Sequence, residues 1–321
     1  MKLLKKFKTI AKIGLLSTLV TAFSIGGLGI STYASVSDYG DVPFRPTPDT
    51  SLFEGYQGFQ AFDEMDNPYI NLNLFNVQVV EFTDEMRALV QETMDLLAAH
   101  GIVEPSGRFA YGSSQLRLTT TMNIADGLSP NQILQMNTIG LAAQNAAAAR
   151  YPNNEMREDA FRHFTWSFRL AGSIGWNNAR IATNNHEFSG RIINNGTWQR
   201  FHDEELRNAP WWVHTAPGGV LGWARDMADA RSITERTRMA NEAQASNAAF
   251  RRVFTNDDIM DFYNNWAGFS FAGVTNNATT AQNAFYTAER NGIIVIDNSN
   301  TQVSDFRVTD LRNSGQWRHF Q

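Results

Sequence analysis

The chain has 321 residues, of which 43% are hydrophobic and 18% charged, and this composition excludes an intrinsically disordered protein. It contains no cysteine, which excludes disulfide bonds, thiolate metal ligands, cysteine nucleophiles and a cysteine-linked lipid anchor. All five lysines lie in the first 12 residues, and the rest of the chain has 22 arginines against 32 acidic residues, a net charge of −10. Such acidity argues against non-specific binding to nucleic acid or anionic membranes, but a local arginine cluster is compatible with it.

Residues 1–34 have the parts of an export signal. A basic stretch, Lys2–Lys12, precedes the apolar stretch Ile13–Ile30, and Thr32 and Ala34 are the small residues that signal peptidase prefers. We therefore predict cleavage after Ala34 and a secreted protein, with a signal length typical of Gram-positive bacteria. The alternative is a retained membrane anchor, although three glycines dilute the apolar stretch. No later segment is long and apolar enough to span a bilayer.

Residues 35–80 are predicted to be an irregular N-terminal extension, because prolines and glycines recur through them. From residue 81 onward, helical periodicity and capping residues predict a helical domain that reaches residue 321. Four helices are expected in its first half: from Thr83 to Gly101, from Ser129 to just before Pro152, from Asn154 to about Leu170, and from about Gly175 to Phe188.

The second half of the domain begins with a loop-rich, tryptophan-rich region over residues 194–224. Further helices are predicted over about 225–250, from Thr255 to about Phe271, and from Thr280 to Arg290. The apolar run Ile293–Ile296 indicates a short strand, with Asp305–Val308 as its possible partner. The predicted fold class is therefore mainly α, a compact multi-helix domain with a short C-terminal β-strand pair.

Two predicted helices carry polar stripes. Asp159, Arg162, His163 and Trp166 are spaced i, i+3, i+4, i+7 and so share one helix face, which apolar neighbours place in the protein interior. The second stripe has the same spacing and consists of Asp261, Asn264, Asn265 and Gly268. Its glycine lacks a side chain and would allow another helix to approach closely. Buried polar stripes require partners, so we expect the two to meet.

The pair His186-Glu187 lies between the stripes, at the end of a third helix. Convergence of the three helices would form one polar centre, with these candidate catalytic residues: Asp159, Arg162, His163, His186, Glu187, Asp261, Asn264 and Asn265. A zincin protease is not supported, because Ser189-Gly190 stand where an H-E-x-x-H helix needs its second histidine.

The candidate metal ligands are His163, His186, Asp159 and Asp261, a set suited to one divalent ion, Zn²⁺ by preference. Without a metal, His163 paired with a carboxylate could act as a general base. Arg162 could hold a phosphate or carboxylate group and, with Asn265, stabilise an anionic transition state. The alternative is structural: an Asp159–Arg162 ion pair, a core histidine and asparagines that bridge backbones.

The stripes and the His-Glu pair resemble an uncharacterised bacterial domain of unknown function. The matching segments are Asp159-Ala-Phe-Arg-His-x-x-Trp166, His186-Glu187 and Met260-Asp-x-x-Asn-Asn-x-x-Gly268, within residues 130–300. The chain departs from typical members at Phe164, Ser167 and Phe269, and the last replaces a frequent arginine. The resemblance implies an exported or toxin-associated protein with a helical fold, in which the matched residues form a shared centre. It implies no activity.

Two function hypotheses follow. The first is a secreted hydrolase that acts on a phosphoester, lipid or cell-wall substrate through the His/Asp/Arg centre, with or without a metal ion. The second is a non-enzymatic secreted binding or effector protein, in which the same centre only locks three helices together. Outside the centre, His202 and His214 are expected to be exposed loop residues, and the tryptophans around them are expected to pack or to form a sugar- or lipid-facing surface.

Overall fold

Helices make up the architecture of the computed structural model, which describes residues 81–102, 113–215, 218–272 and 278–320. Eleven α-helices lie in these ranges: α1 Asp84–Ala99, α2 Ser113–Ala125, α3 Pro130–Arg150, α4 Glu155–Ile174, α5 Trp176–Asn194, α6 Thr197–Asn208, α7 Gly219–Ala245, α8 Asn247–Val253, α9 Asn256–Phe271, α10 Ala278–Arg290 and α11 Asp305–Asn313. The mainly α prediction is confirmed for this part of the chain.

Predicted capping residues begin four of these helices. Thr83 accepts a hydrogen bond from the backbone of Met86, and Asn154 caps α4 through the backbone of Arg157. Ser129 and Thr255 form reciprocal capping boxes at α3 and α9. Each cap satisfies backbone N–H groups that the first helical turn leaves unpaired, which is why these helix starts could be predicted from the sequence.

The predicted β-strand pair is wrong: no strand occurs in the described residues. Residues 293–295 are buried, and the backbone of Val295 pairs with a side chain. Val295 N–H donates to Asn264 Oδ1 at 3.0 Å, and Asn264 Nδ2 donates to Val295 O at 2.8 Å. One amide side chain thus supplies both bonds that a neighbouring strand would supply. Residues 305–308 instead form the first turn of α11.

The predicted loop over 194–224 is also corrected. Residues 197–208 form α6, and a 3-10 turn follows over Trp211–Thr215. Trp198 and Phe201, one helical turn apart, bury the apolar face of α6, whereas its other positions are mostly polar. The predicted helix over 225–250 is two helices, since Ser246 ends α7 and caps α8 by accepting from Ala249 N–H at 3.0 Å.

The packing of α4 against α9 positions the polar stripes. Gly268 lies against the backbone of α4: a Cβ atom there would overlap the carbonyl oxygen of Phe164 and stand 3.0 Å from Ser167 Cβ. The predicted close approach at Gly268 is therefore observed. Apolar side chains on either side of this crossing are buried, among them Phe168 and Phe262.

The predictions for the N-terminus concern residues outside those described. Cleavage after Ala34 and the irregular extension over 35–80 stay predictions. Among the described helices, we find none whose length and hydropathy would let it cross a bilayer.

Candidate metal and acid–base centre

His163 stands at the middle of the polar centre and is only 1% exposed. It projects from α4 towards α5 and α9, and both of its ring nitrogens face polar groups. Because an unpaired imidazole nitrogen is costly in the interior, the partners of the two nitrogens define what the ring can do.

The Nδ1 side of the ring faces two fixed acceptors. Glu187 Oε1 from α5 and Asn265 Oδ1 from α9 each lie 3.3 Å from His163 Nδ1. The Asn265 amide is itself oriented, because its Nδ2 donates to Glu187 Oε1 at 2.7 Å and its Oδ1 accepts from Ser167 Oγ at 2.6 Å. These contacts place a proton on Nδ1 and fix the ring plane.

The Nε2 side faces a guanidinium and two carboxyl groups. Arg162 Nη2 lies 2.7 Å from His163 Nε2 and also pairs with Asp159. Since a guanidinium only donates, this contact requires a lone pair on Nε2. Asp261 Oδ1 lies 3.2 Å and Asp159 Oδ1 3.6 Å from the same nitrogen. Asp261 Oδ1 is buried and accepts no hydrogen bond from the described part of the chain.

The three carboxyl groups differ in their ionisation. Burial, with the nearby charges of Asp159 and Glu187, raises the pKa of Asp261 well above its usual range. Burial acts in the same direction on Asp159, but His163 and Arg162 outweigh it and lower the pKa of Asp159 to about 2. His163 and His186 likewise overcome burial and lower the pKa of Glu187. One carboxyl group therefore tends to keep a proton while two stay ionised.

Three ligand-type atoms converge on the Nε2 side. The described residues contain a group formed by Asp159, His163 and Asp261, whose ligand atoms all lie within 4.8 Å of one another. One imidazole and two carboxylates are suitable ligands for a divalent ion. The group contains three of the four predicted metal ligands and spans the two polar stripes.

The remaining predicted residues face elsewhere. The ring of His186 packs edge-on against Trp166 with centroids 5.1 Å apart, and burial lowers the pKa of His186 to about 4. The side-chain amide of Asn264 forms two hydrogen bonds with the backbone of Val295. Of the eight candidate residues, the contacts around His163 therefore join these five to it: Asp159, Arg162, Glu187, Asp261 and Asn265.

Ser167 belongs to the centre, although the sequence analysis did not select it. It lies four residues after His163 on α4, so both face the same side of the helix. Its hydroxyl group orients the Asn265 amide. The sequence offered one signal, namely that Ser167 continues the stripe Asp159–His163 by another helical turn.

Other predicted surface features differ in their exposure. His214 is exposed in the 3-10 turn, whereas His202 belongs to α6 and stacks on Trp198 at 5.1 Å. Trp198 is buried, but Trp211 and Trp212 are exposed. Of the four tryptophans in this region, Trp198 is thus a packing residue, Trp223 is half-buried and two face solvent.

Comparisons of the chain with protein-family models, with curated proteins and with solved structures each found no match. The resemblance to the bacterial domain of unknown function stays a prediction.

Proposed function

We propose that this protein is a secreted hydrolase of anionic substrates, foremost phosphoesters, that uses a divalent metal ion held by Asp159, His163 and Asp261. The observation that carries the proposal is the two-sided arrangement of His163. Glu187 and Asn265 fix its Nδ1 proton, while Nε2 points to two carboxyl groups. A histidine oriented by a carboxylate on one nitrogen is a common metal ligand on the other.

The charge of the centre supports a cation. Asp261 is the carboxyl group that tends to remain protonated, and its Oδ1 accepts no hydrogen bond from the described residues. A divalent ion would replace that proton and would compensate the negative charges of Asp159 and Asp261 together. The same ion would lower the pKa of a bound water molecule and so supply a nucleophile.

Arg162 accounts for the anionic substrate. Its guanidinium bonds to Asp159 and to His163 Nε2. A metal ion held by the same two atoms would lie beside Arg162, whose guanidinium could then donate hydrogen bonds to a phosphoryl group on that ion. The side chains of Arg162, Asp159 and Asp261 are each partly exposed, so this side of the centre lies near the protein surface.

The first experiment measures metal content. The purified protein, His163→Gln and Asp261→Asn are equilibrated with Zn²⁺ or Mn²⁺, desalted and analysed by elemental mass spectrometry. We expect about one ion per chain in the wild type and little in either variant. His214→Gln, which changes an exposed histidine, is the matched control and should retain the ion.

The second experiment measures turnover of phosphomonoesters, phosphodiesters and phospholipids with and without a chelator. Arg162→Lys should raise KM for the anionic substrate while metal content is unchanged, because lysine cannot donate the paired hydrogen bonds. Metal binding without turnover of any substrate would refute the hydrolase and leave a metal site. Turnover that is unaffected by the chelator would refute the metal and favour a His163 general base.

A second candidate function is the non-enzymatic one, and the contacts of Arg162 favour it. Arg162 bonds to Asp159 and His163 from the same helix, so the centre has internal partners without any ligand. In that case the wild type would bind little metal, and His163→Gln and Asp261→Asn would bind as little. Both variants would also have a lower melting temperature than the wild type.

A further inference from the structure

The region that joins α6 to α7 exposes large apolar side chains. Trp211 is 83% exposed and Trp212 50% exposed in the 3-10 turn, and Leu221 is 68% exposed in the first turn of α7. Three exposed large apolar residues thus lie within eleven positions of the chain. A group of such residues on a soluble protein commonly marks an interaction site.

The turn that carries the two tryptophans is anchored to the body of the protein. Val213, between Trp212 and His214, is fully buried, and its N–H donates to Pro210 O at 3.1 Å. The 3-10 turn packs on α7, the helix that also carries Leu221. The exposure of the tryptophans is therefore built into an ordered turn whose central residue belongs to the core.

The charge of this region is opposite to that of the rest of the protein. The chain has 32 acidic residues, yet none lies in the twenty positions 206–225, which contain Arg207, His214 and Arg225. Arg207, His214 and Arg225 are all exposed. The nearest acidic side chain to Arg225 is Asp226, at 4.0 Å, and that carboxylate is already bonded by Arg87 and Arg117. The segment 206–225 therefore combines exposed apolar side chains with a net positive charge.

We infer that Trp211, Trp212 and Leu221, flanked by Arg207 and Arg225, dock the protein on an anionic phospholipid surface. Tryptophan suits the headgroup region because its ring is apolar and its N–H is polar, and leucine adds apolar area that enters the acyl boundary. The arginines complement anionic headgroups. An exposed leucine distinguishes this surface from a sugar platform, which relies on aromatic stacking alone.

The inference is independent of the proposed hydrolase, since no residue of the surface belongs to the His163 centre. The net charge of −10 after residue 12 opposes binding to an anionic bilayer, so the contact has to be made by a local patch without acidic residues, such as this one.

The test is co-sedimentation with vesicles of phosphatidylcholine alone and of phosphatidylcholine with phosphatidylglycerol. We expect the wild type to bind the phosphatidylglycerol vesicles preferentially. The double variant Trp211→Ser/Trp212→Ser and the single variant Leu221→Ser should each bind at least about tenfold more weakly. Arg207→Gln/Arg225→Gln should abolish the preference for phosphatidylglycerol and its sensitivity to salt.

Leu141→Ser is the matched control, because Leu141 is an exposed leucine of α3 outside this region. Its affinity should equal that of the wild type. Residues 1–34 are identical in all these proteins, so any contribution from them is the same in each. Variants that bind vesicles as tightly as the wild type would overturn the inference, as would a wild type that binds purified cell-wall polysaccharide and no vesicle.

Discussion

Glu187 Oε1 lies 3.3 Å from His163 Nδ1, while Asp261 Oδ1 lies 3.2 Å from Nε2 of the same ring. The imidazole thus connects a deeply buried carboxylate on α5 to a partly exposed one on α9. The two acids therefore have different tasks in the proposed metal site. Glu187 would orient the ring, and Asp261 would bind the metal ion together with His163 Nε2.

The orienting role of Glu187 predicts the effect of Glu187→Gln. The amide keeps the size of the side chain but removes the negative charge that favours a proton on Nδ1. We expect metal affinity to fall by about 10- to 100-fold with the fold intact. Titration calorimetry with Mn²⁺ measures the affinity, and Glu92→Gln, on the exposed side of α1, is the control. Unchanged affinity would show that Glu187 does not orient the ligand.

The close packing of α4 on α9 predicts that Gly268→Ala is destabilising. The added methyl group would collide with the backbone of Phe164, which cannot move without displacing α4. We expect a loss of about 1–3 kcal/mol in the free energy of unfolding, measured by urea denaturation. The control is Gly140→Ala on α3, where the new Cβ would stand 3.4 Å from the Trp166 ring. Equal stability of the two variants would contradict the close crossing.

The bonds between Asn264 and Val295 predict that Asn264→Ala acts on stability alone. Loss of the amide leaves the buried N–H and C=O of Val295 without partners, at a cost of about 1–3 kcal/mol for each group. Metal content of the folded variant should remain that of the wild type. Asn153→Ala, in an exposed turn, serves as the control for both measurements. A variant with the stability of the wild type that no longer binds the metal would show that Asn264 belongs to the centre.

A pH dependence is predicted from Asp229, a buried residue of α7 that accepts from Trp198 Nε1 at 2.8 Å and from Thr121 Oγ1 at 3.2 Å. Burial, despite the nearby Arg117, raises the pKa of Asp229 to about 6. The folded state therefore holds a proton that the unfolded state loses between about pH 4 and pH 6. Because the folded state binds more protons in that window, the contribution of Asp229 to stability falls as pH rises through it.

The measurement compares the wild type with Asp229→Asn in urea denaturation from pH 4 to pH 7. From pH 4 to pH 7, the free energy of unfolding of the wild type should fall relative to that of Asp229→Asn by up to about 3 kcal/mol. Asp203→Asn, an exposed position on α6, should show no such trend. A difference that is constant with pH would mean that Asp229 titrates normally.

Helix periodicity groups the polar residues that converge around His163, but it is too coarse to distinguish between adjacent residues of one helix. Consecutive helical residues point about 100° apart. Asn264 and Asn265 accordingly reach different targets: Asn265 reaches His163, and Asn264 reaches Val295. For the same reason Glu187 faces the centre while its neighbour His186 packs on Trp166. Choosing between adjacent residues requires the position of the facing helix.

Helix α2 shows why part of the fold could not be predicted. Its segment has three consecutive threonines, whose branched side chains favour strands over helices. All three threonines are nevertheless buried. Two of them are hydrogen-bonded, Thr119 to Ser189 of α5 and Thr121 to Asp229 of α7. Partners that lie far away in the sequence therefore stabilise a helix that local propensity disfavours.

The adjacent asparagines of α9 also connect the centre to the C-terminal segment. Asn265 contacts His163, and Asn264 accepts a hydrogen bond from Val295 N–H. A shift of α9 away from His163 would therefore lengthen both contacts. Because that N–H is buried and bonded only to a side chain, its rate of hydrogen–deuterium exchange reports how often α9 moves. Slow exchange at Val295, unchanged by metal, would describe a centre formed before its ligand arrives. Exchange that slows on metal binding would describe a centre that its ligand assembles.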